Sequence, residues 1–249
     1  MTGLTDDGFL GGRLRILQPA RGYRAGVDPV FLAAATDASP GESVLELGCG
    51  VGVVSLCLAA RVGALDLIGV EALADYAALA RRNASRNRIE MHVVEADVRE
   101  LGPELKARSF DHVVSNPPYL RRSHGIMPGE PSRRAALYET VPLADWVGAA
   151  LRRLRPGGRL TMIQAAERLP ELLKALDDGA GAVTVRPIAA RAGREADRFI
   201  LTAVKSARGR FRLTAPLIVH EGLCHSGDGD DYAAEISDVL RNGAALDST

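Results

Sequence analysis

The sequence predicts an α/β fold, a mostly parallel sheet with helices on both of its faces. Two observations carry this. Apolar runs of strand length alternate with helix-length patterns along most of the chain, the rhythm of βαβ units. The composition, 47% hydrophobic and 25% charged over 249 residues, is ordinary for a globular domain. A chain of this length buries about 70–75% of the surface its unfolded form exposes, so it needs no disulfide or metal staple.

The elements follow in order. Residues 1–40 fall outside the alternating rhythm and are expected to pack on the core as an N-terminal addition. Residues 43–47 (SVLEL) form a short buried strand, followed by glycines and the helical pattern VVSLCLAARVG. Residues 66–70 (DLIGV) are a second strand, and 74–87 a helix rich in Ala, Leu and Arg. Further β-type runs lie at 91–95, 110–115, 159–164, 183–186 and 199–204, with helical stretches near 143–154 and 165–176. Gly157-Gly158 after Pro156 is read as a turn that stops one helix and feeds the next strand. Residues 206–249 again leave the rhythm and are expected to cap the fold. The whole chain, 1–249, reads as a single domain with its core at 41–205.

Composition excludes several classes. Basic and acidic residues balance at 31 each, so the molecule as a whole is no polycation. Only Lys106, Lys174 and Lys205 among the basic residues are lysines, a skew most simply ascribed to a GC-rich genome. No stretch approaches the ~18 consecutive apolar residues of a membrane span. The first ten residues carry Asp6 and Asp7 and lack the basic and apolar regions of a signal peptide. Cys49, Cys57 and Cys224 cannot all pair, and none has metal-ligand spacing. His220 and His225 flank Cys224 without a second cluster, so no metal is expected. A cytoplasmic, reduced protein is the resulting expectation, with oligomeric state open.

The first chemical signal is Glu46-Leu-Gly-Cys-Gly-Val-Gly52 at a strand-to-helix turn. Gly48, Gly50 and Gly52 let the backbone, with Cys49 between them, approach a ligand closely. A dinucleotide fingerprint needs Gly or Ala at the position of Val53, and a phosphate loop needs a Lys that is absent here. Glu46, two residues before the first glycine, suits a ligand bearing an amino group and repels a pyrophosphate. That points to S-adenosylmethionine. Glu71, ending the second strand, can accept both ribose hydroxyls, and Asp97, after the third, can accept from the adenine amino group. Any one of these acids alone reads equally well as a solvated strand end; three at successive strand ends do not. Together with the tetrapeptide below, the pattern resembles class I S-adenosylmethionine-dependent methyltransferases over about residues 41–205. The resemblance implies a Rossmann-like, seven-stranded sheet with an antiparallel last pair.

The tetrapeptide is Asn116-Pro117-Pro118-Tyr119, after the fourth strand. An amino group on a conjugated ring has a delocalised lone pair and is a poor nucleophile. The Asn116 side-chain oxygen and the Pro117 carbonyl can hold its two N–H bonds and localise that pair. Pro117 and Pro118 stiffen the backbone, and Tyr119 can stack on the ring. The motif resembles that of amino-methyltransferases acting on adenine N6, cytosine N4, guanine N2 or a protein glutamine amide, and does not choose among them.

The flanks add to this. Residues 17–33 (LQPARGYRAGVDPVFLA), 134–139 (RAALYE) and 217–232 resemble the bacterial family of tRNA1(Val) adenine-N6 methyltransferases. That resemblance implies a tRNA substrate, and cofactor-pocket roles for Gln18, Gly26, Asp28 and Asn116. The tail departs from it with Cys224-His-Ser226, and the loop at 120–131 is not distinctive of any substrate. Arg121, Arg122, Arg133 and Arg134 bracket that loop and can contact phosphates, as an Arg-rich solvated face also would. Other arginines cluster at 81–88 and 208–212. Competing readings are a protein glutamine methyltransferase, whose separate N-terminal helical domain has no room here, a ribosomal RNA guanine-N2 enzyme, and a non-catalytic cofactor-binding adaptor.

Overall fold

The computed structural model describes residues 3–119, 141–176, 179–222, 224 and 230–246. The chain opens with an antiparallel hairpin, β1 (Leu4–Phe9) and β2 (Leu14–Pro19), and then α1 (Asp28–Ala35), whose Pro29 suits a first turn. The alternating part follows: β3 (Ser43–Leu47), α2 (Val53–Val62), β4 (Asp66–Glu71), α3 (Ala74–Arg86), β5 (His92–Glu95), α4 (Pro103–Ala107) and β6 (Phe110–Ser115). After the undescribed 120–140 come α5 (Leu143–Arg153), β7 (Leu154–Ala165), α6 (Leu169–Leu176), β8 (Ala180–Ala189) and β9 (Ala196–Lys205). Short β10 (Arg212–Leu213) and β11 (Leu217–Ile218) precede α7 (Ala234–Asn242).

The main sheet runs β10-β8-β9-β7-β6-β3-β4-β5, with β11 also on β8. Its central seven strands agree with the predicted count; the two-residue β10 and β11, which no local pattern announces, bring it to nine. All pairings are parallel except those of β9, which lies antiparallel between β7 and β8. Successive side chains in a strand point to opposite faces, and the core divides accordingly. Val113, Leu160, Met162 and Leu201 join the apolar layer under α4, α5 and α6. Val114, Ile163 and Ile200 join the layer with α1, α2 and α7. Strands buried on both faces read as near-continuous apolar runs, which is why Val44-Leu45 and Leu67–Val70 make SVLEL and DLIGV recognisable.

Two boundaries differ from expectation. Residues 156–158 are not a turn between helix and strand. They are a bulge inside β7, since Phe110 pairs with Leu154 and His112 with Arg159. Gly157 takes φ +78° there, and a Cβ on Gly158 would sit 3.0 Å from the carbonyl oxygens of Phe110 and Asp111. The helix expected from 165 starts at Leu169, behind one 3-10 turn at Ala166–Arg168.

The hairpin is fastened by two asparagines, Asn83 on α3 and Asn87 just past its last residue. Leu17 N–H donates to Asn83 Oδ1 (2.8 Å) and Asn83 Nδ2 returns to Leu17 O (3.0 Å). Asn87 repeats this exchange with Arg15 N–H and O. The amides thus take the place of a neighbouring strand along the second edge of β2.

Candidate active site

Strand order reverses between β3 and β6, whose next neighbours are β4 and β7. Ligands of open α/β sheets bind outside the carboxyl ends of the strands at such a switch point. The two strand ends are tied there by Ser115 Oγ–H donating to Leu47 O at 2.9 Å. A cavity of about 200 Å³ opens beyond them, lined by Glu46, Gly48, Cys49, Gly50, Glu71, Asp97, Asn116 and Pro118 among others.

The glycine loop lies along its floor. Gly48, Gly50 and Gly52 have φ of +72°, +55° and +91°, a region that favours glycine. A Cβ on Gly48 would lie 2.8 Å from the Trp146 ring, whereas one on Gly50 would meet nothing within 4 Å. The first glycine therefore admits the indole, and the second leaves backbone bare towards the cavity. Cys49 is buried, which pushes its thiol well above the usual range and leaves it inert.

The acids differ in their surroundings. Glu46 is buried, and its Oε2 accepts from Ser55 Oγ–H (2.5 Å) and Ser55 N–H (3.0 Å). Its other oxygen has no partner among the described residues. Burial outweighs the Ser55 bonds and pushes its carboxyl up to about 8. Glu71 is aimed by the backbone N–H groups of Gly50 (2.8 Å, to Oε2) and Leu73 (2.9 Å, to Oε1), and burial raises it as well. Asp97 is held below the usual carboxylate range by the Arg99 side chain, which donates to both its oxygens at 3.0 and 2.7 Å. A ligand amine reaching Asp97 has to share it with that guanidinium.

In the tetrapeptide, Asn116 Oδ1 is buried and accepts no hydrogen bond. Buried acceptors are nearly always paired, so this oxygen on the cavity wall is poised for a donor from outside the chain. The fully buried Gln164 places Nε2 at 3.4 Å from the carbonyl oxygens of both Pro117 and Pro118. Tyr119 does not line the cavity; its hydroxyl donates to Asp28 Oδ2 at 2.8 Å.

Of the flanking residues expected at the cofactor pocket, Gln18, Gly26 and Asp28 do not line this cavity directly. Gln18 is buried behind it, where Oε1 accepts from Ala25 N–H (2.8 Å) and Nε2 donates to Asp7 (2.9 Å). This pins the loop that carries Tyr23 and Ala25 into the cavity wall. Asp28 faces Tyr119 and Arg198. Gly26 lines a separate hollow beside the turn at Leu10–Gly12. Gly52 and Pro117 neighbour the cavity without lining it. Arg121, Arg122, Arg133 and Arg134 lie outside the described residues, as does most of the segment around Cys224. His220 instead bonds Asp231 through Nδ1 and stacks on Tyr232 with centroids 5.0 Å apart. The described residues include no group of three metal-ligating side chains, and no helix among them is long and apolar enough to cross a membrane. Sequence reasoning misses Tyr23, Tyr76, Val141 and Trp146 on the cavity wall; as the chain's single tryptophan, Trp146 carries no motif that would flag it.

Comparison with known proteins fits this arrangement. The methyltransferase small domain family matches residues 27–186, and the chain belongs to that family. A Porphyromonas gingivalis protein named tRNA1(Val) (adenine(37)-N6)-methyltransferase is 33% identical over 168 residues, 64% of this chain and 66% of its own length. A protein of the same name from Aeromonas hydrophila is 28% identical over 211 residues, 83% and 84% of the two chains. The chain spans somewhat less than two thirds of several such relatives, 63% for that of Glaesserella parasuis. Among solved structures, a predicted O-methyltransferase from Agrobacterium tumefaciens superposes with TM-score 0.71 at 26% identity, over 88% of this chain and 98% of its own. A 16S rRNA N2 G1207 methyltransferase from Thermus thermophilus, solved with AdoMet and guanosine, shares the fold at TM-score 0.55 and 23% identity, over 82% and 50%.

Proposed function

We propose that this chain binds S-adenosylmethionine in the cavity at the switch point and methylates the exocyclic N6 of an adenosine in tRNA. The observation that carries the reading is the buried, unpartnered Asn116 Oδ1 on the wall shared with the glycine loop, Glu46 and Glu71. The residues present fit such a cofactor: bare backbone at Gly50, an unengaged oxygen on Glu46 for an ammonium, and a backbone-aimed Glu71 for vicinal hydroxyls. When bound, the cofactor supplies an electrophilic methyl group on a sulfonium.

The chain's own part is positioning and electrostatics. Asn116 Oδ1 accepts one N–H of the target amine and a carbonyl of the Pro117-Pro118 pair accepts the other, drawing the nitrogen lone pair out of conjugation. Gln164 holds those carbonyls from behind. The amine becomes acidic only once alkylated, so the proton leaves afterwards and no strong base is needed at the start. The apolar wall of Val141 and Trp146 excludes water. The names of the tRNA1(Val) relatives support tRNA adenine over the other amine substrates.

The test is incubation with tritiated S-adenosylmethionine and, separately, unmodified tRNA, ribosomal RNA and release factors, followed by digestion. N6-methyladenosine from tRNA is the expected product. Methylguanine from ribosomal RNA or methylglutamine from a release factor would replace the substrate, and absence of label from every arm would remove the activity.

A further inference from the structure

A second cavity, of about 370 Å³, lies at the opposite end of the sheet from Asn116, on the face shared with α1. Its floor is a row of residues aligned by register across four strands. Thr161 of β7 pairs with Thr202 of β9, Thr202 with Thr184 of β8, and Thr184 with Arg212 of β10. Arg159, Arg186 and Arg210 line the rim, and Asp37 is the one carboxylate there among the described residues.

This composition is unexpected for a sheet face in a core. Thr161, Thr184 and Thr202 all line the cavity, Thr161 buried and the other two half-buried, so their hydroxyls are open to whatever occupies it. Arg159 reaches Asp37 at 3.4 Å and Arg186 engages Glu235, whereas Arg210 and Arg212 have no ion pair among the described residues. Hydroxyl donors set under guanidinium groups are the donor set that phosphate oxygens take. Phe211 and Leu213 alternate with these arginines, so their exposed side chains lie on the opposite face of the same edge and take no part in the cavity.

We propose that this cavity and its β10 edge form a second RNA-binding surface, which takes a backbone phosphodiester of the substrate away from the reacting base. The inference rests on the RNA substrate named above. It gives the enzyme a handle that sees the folded RNA rather than the target adenosine, and that adds affinity without touching the chemistry.

The experiment compares wild type, Arg210→Ala/Arg212→Ala and Arg210→Lys/Arg212→Lys in steady-state methylation of whole tRNA across a salt series. The alanine pair should raise KM for tRNA by roughly tenfold and lower the salt slope of binding by about one for each phosphate no longer neutralised. Its kcat and cofactor Kd should stay at wild-type values, and the lysine pair should recover most of the KM. Phe211→Ala, on the opposite face of the same edge, should leave KM and the salt slope at wild-type values. An alanine pair with wild-type KM and slope overturns the proposal. So does a wild-type thermal shift with millimolar inorganic phosphate that tRNA fails to compete away, which marks a small-anion site instead. If wild type does not methylate or bind tRNA at all, the reading of the substrate fails first, and the variants are not needed to show it.

Discussion

Tyr119 Oη donates to Asp28 Oδ2 at 2.8 Å, and the other oxygen of Asp28 accepts from Arg198. Three elements distant in sequence meet in this chain: the loop after β6, the first turn of α1, and β9. The bond fixes the direction of the phenol ring, because a ring held at its hydroxyl cannot swing out into solvent. Burial first, and then the charge of Asp28, hold the Tyr119 hydroxyl well above its usual range, so it remains a donor at any working pH. Asp28 thereby holds Tyr119, the last residue of the tetrapeptide, in place.

Asp28→Ala should lower turnover roughly tenfold by loosening that ring, with cofactor Kd within about twofold of wild type. It also leaves Arg198 without this partner, for a stability loss of about 1–3 kcal/mol. Tyr119→Phe in the Asp28→Ala background should cost little further turnover, because both changes remove one interaction. Strictly additive losses in that double-mutant cycle would show that Asp28 does not act through Tyr119.

Asn116→Ala removes the acceptor that has no partner within the protein. No internal hydrogen bond to that oxygen is broken, so the fold should keep its melting temperature within a few degrees. Turnover should fall at least about tenfold, with cofactor affinity nearly unchanged. Glu71→Ala should do the reverse, weakening cofactor binding first. Equal losses of affinity and turnover in both variants would contradict the division of labour between the two walls.

Glu46 gives a pH dependence of definite sign. Burial raises its carboxyl to about 8 from an ordinary value of 4.5. Between those values the folded chain keeps a proton that the unfolded chain has released. Its contribution to stability is therefore full below about 4.5, declines as pH rises towards 8, and changes no further above that. Glu46→Gln should flatten this decline in melting curves taken from pH 5 to pH 9. A cationic ligand group should ionise the carboxyl, so at pH 7 cofactor binding should release up to about one proton more from wild type than from Glu46→Gln. Calorimetry in buffers of different ionisation enthalpy reads that difference, and identical proton release in the two proteins would remove Glu46 from contact with the ligand's charge.

The parts legible in the sequence are those whose cause is local. Ser43–Leu47 can be read because Val44, Leu45 and Leu47 are fully buried, which makes a short apolar run even with Glu46 among them. The glycines of the loop can be read because backbone conformation is a property of the residue itself. Trp146 cannot, because its pairing with Gly48 depends on where α5 packs. The same holds for Asp28, whose bond with Tyr119 only the tertiary fold creates. The threonine row is invisible for a further reason. Each strand contributes one threonine to an apolar alternation, and only the register of β7, β9 and β8 lines them up. β10 and β11 are two residues each, shorter than any periodic signal.

Asn83 offers the sharpest test of how the N-terminal hairpin is joined to the site. Its amide accepts from Leu17 N–H and donates to both Leu17 O and Val51 O at 3.0 Å, and it is fully buried. It therefore ties β2 to the glycine loop through one side chain. Asn83→Ala strands three buried backbone groups at a cost of about 1–3 kcal/mol for each left unpaired, so unfolding free energy from a urea titration should drop by at least about 2 kcal/mol. Asn87→Ala breaks a similar exchange nearer solvent, where water replaces the missing partner, and should cost under about 1.5 kcal/mol. Because Val51 lies in the loop, Asn83→Ala should also weaken cofactor binding, whereas Asn87→Ala should not. Equal destabilisation by the two alanines would mean that the hairpin is held by its apolar packing on α3 and not by the asparagine amides.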